Sequence, residues 1–66
     1  MTIEQLKEKR IEMGIRQREI AEALDITKTY LSLCECGVKK PTKTFLLAYE
    51  FILKKFEDFK KNDLHI

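Results

Sequence analysis

The sequence predicts a compact all-α domain of four to five helices, and three observations carry that prediction. Apolar residues recur at helical spacing in four stretches: Ile3 and Leu6; Ile20, Ala21 and Leu24; Leu31 and Cys34; and Phe45, Tyr49, Ile52, Phe56 and Phe59. Residues that stop or start helices stand between these stretches, namely Gly14, Thr27, Gly37 and Pro41. From Thr44 to Lys61 there is neither Gly nor Pro, so one long helix, or two with an inconspicuous joint, closes the chain.

The first helix begins at Thr2, because Thr2 and Gln5 have the spacing at which a hydroxyl and an amide cap each other's backbone donors. Ile3, Leu6 and Arg10 then share one face, away from Glu4, Lys7, Glu8 and Glu12. Gly14 ends this helix as a left-handed residue, and Ile15 pins the following loop to the core. The second helix runs from about Gln17 to Leu24 and the third from Lys28 to Cys36, capped by the Thr27 hydroxyl and stopped by Gly37. Residues 38–43, V-K-K-P-T-K, form a loop with three lysines and no acid; Pro41 bars helix through it, and Thr42 or Lys43 opens the next element. On the last helix the stripe from Phe45 to Phe59 is widened by Leu46 and Leu53, while Leu47, Ala48 and Phe51 add a second flank. Glu50, Lys54, Glu57, Asp58 and Lys61 keep only the remaining sector. One apolar flank covers the shorter helices and the excess asks for another partner. Residues 1–61 therefore read as a single domain whose segment 44–61 serves dimerisation, and 62–66 as a frayed tail.

Between Arg16 and Gly37 the pattern becomes more specific. Two short helices joined by so tight a turn, at Asp25-Ile26, must cross steeply, because Ala21 allows close approach and the turn leaves no room for antiparallel packing. That arrangement is a helix-turn-helix. Its second helix stands proud, with Lys28, Thr29 and Ser32 on the free face, and an exposed helix of this size fits the major groove of B-DNA. The pattern points to sequence-specific binding of double-stranded DNA.

Composition narrows the alternatives. A chain of 66 residues seldom supplies a catalytic cleft, and no nucleophile, base and orienting group recur together, so no enzyme is expected. The net charge is only +2, but residues 1–43 hold nine Lys/Arg against seven Asp/Glu, whereas 44–66 hold four against four. The surplus falls on the part assigned to DNA. Cys34 and Cys36 point to nearly opposite sides of a helix and the lone His65 lies in the tail, so no metal, disulfide, cofactor or small-molecule ligand is implied. Cys34 reads as a small core residue and Cys36 as a surface thiol. With no membrane-length apolar run and no secretory leader pattern, the expected location is the cytoplasm, at the nucleoid.

Arg10, Gly14-Ile15, Gln17, Ile20-Ala21, Leu24, Ser32, Glu35, Gly37 and Pro41 stand at the spacings of a known group. Over residues 3 to 53 the chain resembles the xenobiotic-response-element family of helix-turn-helix proteins, which includes lambdoid phage repressors, Cro proteins and restriction-modification control proteins. The resemblance implies a lambda-repressor-like domain of five helices that docks as a homodimer on a palindromic operator. It implies a phosphate contact at Gln17, base readers at Lys28, Thr29 and Ser32, and an ion pair between Arg10 and Glu35. Lysine can donate to guanine O6 and N7, threonine offers a hydroxyl or a methyl, and serine suits either base type. Arg16, Arg18, Lys39, Lys40 and Lys43 form the expected electrostatic frame on the DNA backbone. Tyr30 either reaches a phosphate with its hydroxyl or packs its ring against the second helix. Phe51, Ile52, Phe56 and Phe59 are the expected dimer contacts.

The chain also departs from the family pattern. Arg16 replaces the usual Ser or Thr cap of the second helix, which weakens that helix start and adds a cation. Asp25 replaces the turn glycine, where a left-handed backbone is expected. Leu33, which takes a position of base readout, and Cys36 stand where polar or basic residues commonly meet DNA; Leu33 either touches a thymine methyl or lies half buried under the following loop. The leading expectation is a transcriptional regulator, a repressor or control protein of phage or plasmid type. The alternative is a protein-interaction module, such as an antitoxin or anti-repressor, that uses the same fold as a scaffold.

Overall fold

Thr2 opens the first helix in the way its spacing to Gln5 predicts. In a computed structural model, which describes residues 1–63 and side chains as far as Phe59, α1 spans Ile3–Glu12. The Thr2 hydroxyl accepts from the Gln5 N–H at 3.2 Å and the Gln5 side-chain oxygen accepts from the Thr2 N–H at 2.9 Å. Two donors that a helix start leaves unpaired are thereby satisfied. Gly14 follows at φ 73, a left-handed backbone that a side chain would strain, and the Ile15 N–H closes the helix onto the Arg10 carbonyl at 3.0 Å.

The next two helices are α2, Gln17–Ala23, and α3, Lys28–Glu35. Arg16 caps α2 without any side-chain hydrogen bond, whereas the Thr27 hydroxyl accepts from the Tyr30 N–H at 3.0 Å at the start of α3. Asp25, between them, sits at φ 58, the one positive-φ residue other than glycine among the described residues. Each helix stops one residue short of the sequence boundary because Leu24 and Cys36 serve as C-caps.

Lys43–Asp63 is one uninterrupted helix, α4, of 21 residues, opened by the Thr42 hydroxyl, which accepts from the Phe45 N–H at 3.1 Å. The resemblance implied five helices; the described residues form four, because no Gly or Pro breaks the run that would hold the fourth and fifth. The segment read as a frayed tail begins inside α4, and its last three residues, His65 among them, lie outside the described residues.

Each helix sends its apolar stripe to one centre. Leu6 from α1, Ile15 from the loop, Ile20 and Ala21 from α2, Leu31 and Cys34 from α3, and Tyr49 and Leu53 from α4 are buried. Phe45, Leu46, Ile52 and Phe56 line its edge half-buried. Burying one such Leu or Ile stabilises by about 1.5–3 kcal/mol, so this handful of side chains sets the stability of a small domain. Cys36, two residues past buried Cys34, is exposed, as a turn of ~100° per residue requires. Among the described residues no helix is long and apolar enough to cross a membrane.

Candidate nucleic-acid interface

The site rests on a polar knot beneath it. Arg10 and Glu35, both buried, meet through two hydrogen bonds, Nε to Oε2 at 3.1 Å and Nη2 to Oε1 at 2.9 Å. Gln17 donates its amide to Glu35 Oε1 at 3.0 Å, and the Tyr49 hydroxyl donates to Oε2 at 2.6 Å. Arg10 also donates to the Ile15 carbonyl at 2.9 Å. One carboxylate on α3 thus receives a side chain from each of the other three helices. Among the described residues no buried side-chain nitrogen or oxygen lacks a partner, which is the condition under which a buried ion pair is tolerated.

Burial opposes the charge on Glu35, yet the hydrogen bonds from Arg10, Tyr49 and Gln17 outweigh it and hold the carboxyl below its ordinary 4.5. Burial likewise works against the Arg10 guanidinium, and Glu35 more than offsets it. For Tyr49, burial and the bond to Glu35 act together and push the phenol above its ordinary 10. The pair that the resemblance implied is brought together by geometry. Tyr49 was missed by sequence reasoning, which placed it only in an apolar stripe; the one signal was that a buried tyrosine hydroxyl needs an acceptor.

Above the knot, two open hollows adjoin. Arg16, Gln17 and Arg18 at the start of α2 line the first with Arg10 and Lys28, and it measures about 490 Å³. Gln17 and Lys28 continue into the second, of about 410 Å³, with Thr29, Ser32 and Leu33. Seven of the sequence-derived contacts therefore share one continuous surface, and no carboxylate lines either part of it. Arg18 is held by Glu22 at 3.4 Å in an exposed pair, whereas Arg16 and Lys28 form no ion pair among the described residues. Lys28 and Thr29 are exposed, and Ser32 and Leu33 half-buried. A larger hollow, about 590 Å³, lies elsewhere, beside α1, and brings together Glu8, Glu12 and Glu57 with Lys9. An acidic lining of that kind repels phosphate, so size alone does not locate a nucleic-acid surface.

The remaining residues divide. Tyr30 meets Phe45 of α4 edge-on at 6.1 Å between ring centres, and Lys39 places its ammonium 5.4 Å from the Tyr30 ring centre. Lys40 and Lys43 are exposed on the neighbouring loop and helix start. Of the four side chains read as dimer contacts, Ile52 and Phe56 are half-buried against the chain's own core, while Phe51 and Phe59 are 59% and 69% exposed.

A family model described as helix-turn-helix matches residues 6–53 of the chain, from Leu6 of α1 to Leu53 of α4, both buried in the core. No curated protein and no solved structure matches it.

Proposed function

We propose, from the premise that the chain belongs to this helix-turn-helix family of DNA-binding regulators, that it is a transcriptional repressor or control protein which reads operator DNA with α3. One observation carries the reading: the cations at the start of α2 and the polar first turn of α3 line two adjoining hollows that share Gln17 and Lys28 and have no carboxylate in their lining, while Glu8, Glu12 and Glu57 gather elsewhere. In this reading α3 lies in the major groove, Lys28 donates to guanine, and Thr29 and Ser32 meet the neighbouring bases. Arg16, Arg18, Lys39, Lys40 and Lys43 neutralise phosphates. Gln17 spends one amide hydrogen on Glu35 and keeps the second for a phosphate, with the carboxylate fixing its direction. Tyr30, wedged between Phe45 and Lys39, sets the height of that lysine and turns its hydroxyl to the backbone.

The proposed active form is a homodimer on a palindromic site, joined through Phe51 and Phe59 with Ile52 and Phe56 behind them, its recognition helices about 34–36 Å apart. Acting at the nucleoid, it excludes polymerase by occupancy and carries out no chemistry. The exposed Leu47, Phe51 and Phe59 also suit the second reading, a scaffold for protein partners; the cations around α3 weigh for DNA.

Selection of bound fragments from a random duplex pool, followed by a salt series, tests the proposal. Affinity should fall steeply with salt, each phosphate contact adding about −0.9 to the log–log slope. Lys28→Ala should relax sequence preference, whereas Lys40→Ala should weaken all duplexes alike. Binding without preference or salt dependence, or identical behaviour of the two variants, overturns the readout.

A further inference from the structure

The outward side of α3 is only partly polar, for the half-buried Leu33 stands on it. Leu31, Cys34 and Glu35 are turned inward and buried, so at ~100° per residue the opposite positions are Thr29, Leu33 and Cys36. Thr29 and Leu33, four residues apart, are neighbours on one ridge, and both line the hollow they share with Gln17, Lys28 and Ser32. Leu33 is also fastened: its carbonyl accepts from the Val38 N–H at 3.0 Å and the Lys39 N–H at 3.2 Å, so the basic loop fixes the residue in place.

A helix that distinguishes purines by paired hydrogen bonds carries Arg, Lys, Asn or Gln on its outward line. Of these the eight residues of α3, KTYLSLCE, hold only Lys28, at the helix start and off the line of Thr29 and Leu33. An isobutyl group pressed against a base's donors and acceptors would strip their water and return no bond. The floor of the major groove offers one apolar feature that it can match, the methyl on C5 of a pyrimidine.

We propose that Leu33, with the Thr29 methyl beside it, reads a pyrimidine C5-methyl group, so that the preferred half-site places thymine, or cytosine methylated at C5, opposite Leu33. The inference rests on the DNA reading above and adds to it the base class at a position where no hydrogen bond can specify one. It also makes binding sensitive to cytosine methylation at that position.

Deoxyuridine lacks only that methyl and keeps every hydrogen bond of thymidine. The test replaces each thymine of the best selected duplex by deoxyuridine in turn and measures dissociation constants at one salt concentration for the full chain, for Leu33→Ala and for Leu33→Met. At one position per half-site the loss of the methyl should weaken binding about fourfold, the effect of one buried methyl. Leu33→Ala should bind the thymine and uracil duplexes equally there, and Leu33→Met, which keeps an apolar tip, should retain part of the ratio. Cytosine at that position should gain a similar factor when methylated. Selective, salt-sensitive binding in which no replacement costs more than about twofold, or in which the ratio survives in Leu33→Ala, overturns the methyl assignment and leaves the DNA reading standing. Absence of selective binding to any duplex overturns both.

Discussion

Glu35 accepts four hydrogen bonds, and its single negative charge is the counterpart of a largely buried guanidinium. Glu35→Gln keeps the shape and removes the charge, so it strands Arg10; the expected loss is about 3–5 kcal/mol in urea unfolding, and Arg10→Met added to it should restore part. The same residue sets the acid limb. Because the folded carboxyl is held below its ordinary 4.5, the unfolded chain binds more protons around that pH, and this stabilisation is complete above it and lost as pH falls through the folded value. Urea midpoints measured from neutral pH downward should therefore decline more steeply for the parent than for Glu35→Gln. Arg10 and Glu35 were legible in the sequence as inward positions of their helices, and their pairing through the family resemblance. Tyr49 and Gln17 were not legible as their partners, because which hydroxyl reaches which oxygen depends on how α4 and α2 cross α3, and periodicity along one helix carries no information about crossing.

At the scale of the element, the two shorter helices of the motif start differently. Thr27 caps α3 with its side chain, while Arg16 leaves the first donors of α2 without a side-chain acceptor. Arg16→Ser supplies that acceptor and should raise stability by about 1 kcal/mol, yet it deletes a cation at the proposed DNA surface and should reduce the salt slope by about one phosphate contact. Opposite signs in thermal unfolding and in DNA titration would identify Arg16 as a residue kept for binding at the expense of its helix. The caps at Thr2 and Thr27 were legible because they are local chemistry within three or four residues, whereas the left-handed turn at Asp25 was legible through the resemblance, which places a glycine there. The number of helices was legible only as four or five: no Gly or Pro between Lys43 and Asp63 forces a break, but that does not bar an inconspicuous joint, and the structure has one helix where the resemblance implied two.

For the molecule as a whole, α4 serves two surfaces, since Tyr49 and Leu53 are buried in the core while Leu47, Phe51 and Phe59 remain exposed. Three exposed side chains offer on the order of 100 Å² each, short of the ~800 Å² per partner of a stable interface. Pairing through this face should be weak in free solution and complete on adjacent half-sites, where each copy raises the local concentration of the other. Sedimentation should show mass rising with concentration for the parent, and Phe51→Glu with Phe59→Glu should stay monomeric with its unfolding midpoint little changed. The carboxylate that joins all four helices has a consequence of its own. No single helix can peel away without breaking a hydrogen bond to that buried carboxylate, so local opening is suppressed in favour of all-or-none opening. Amide deuterium uptake under native conditions should accordingly give protected sites near Leu6, Ile20, Leu31 and Leu53 one common free energy, rather than a ladder of separate ones.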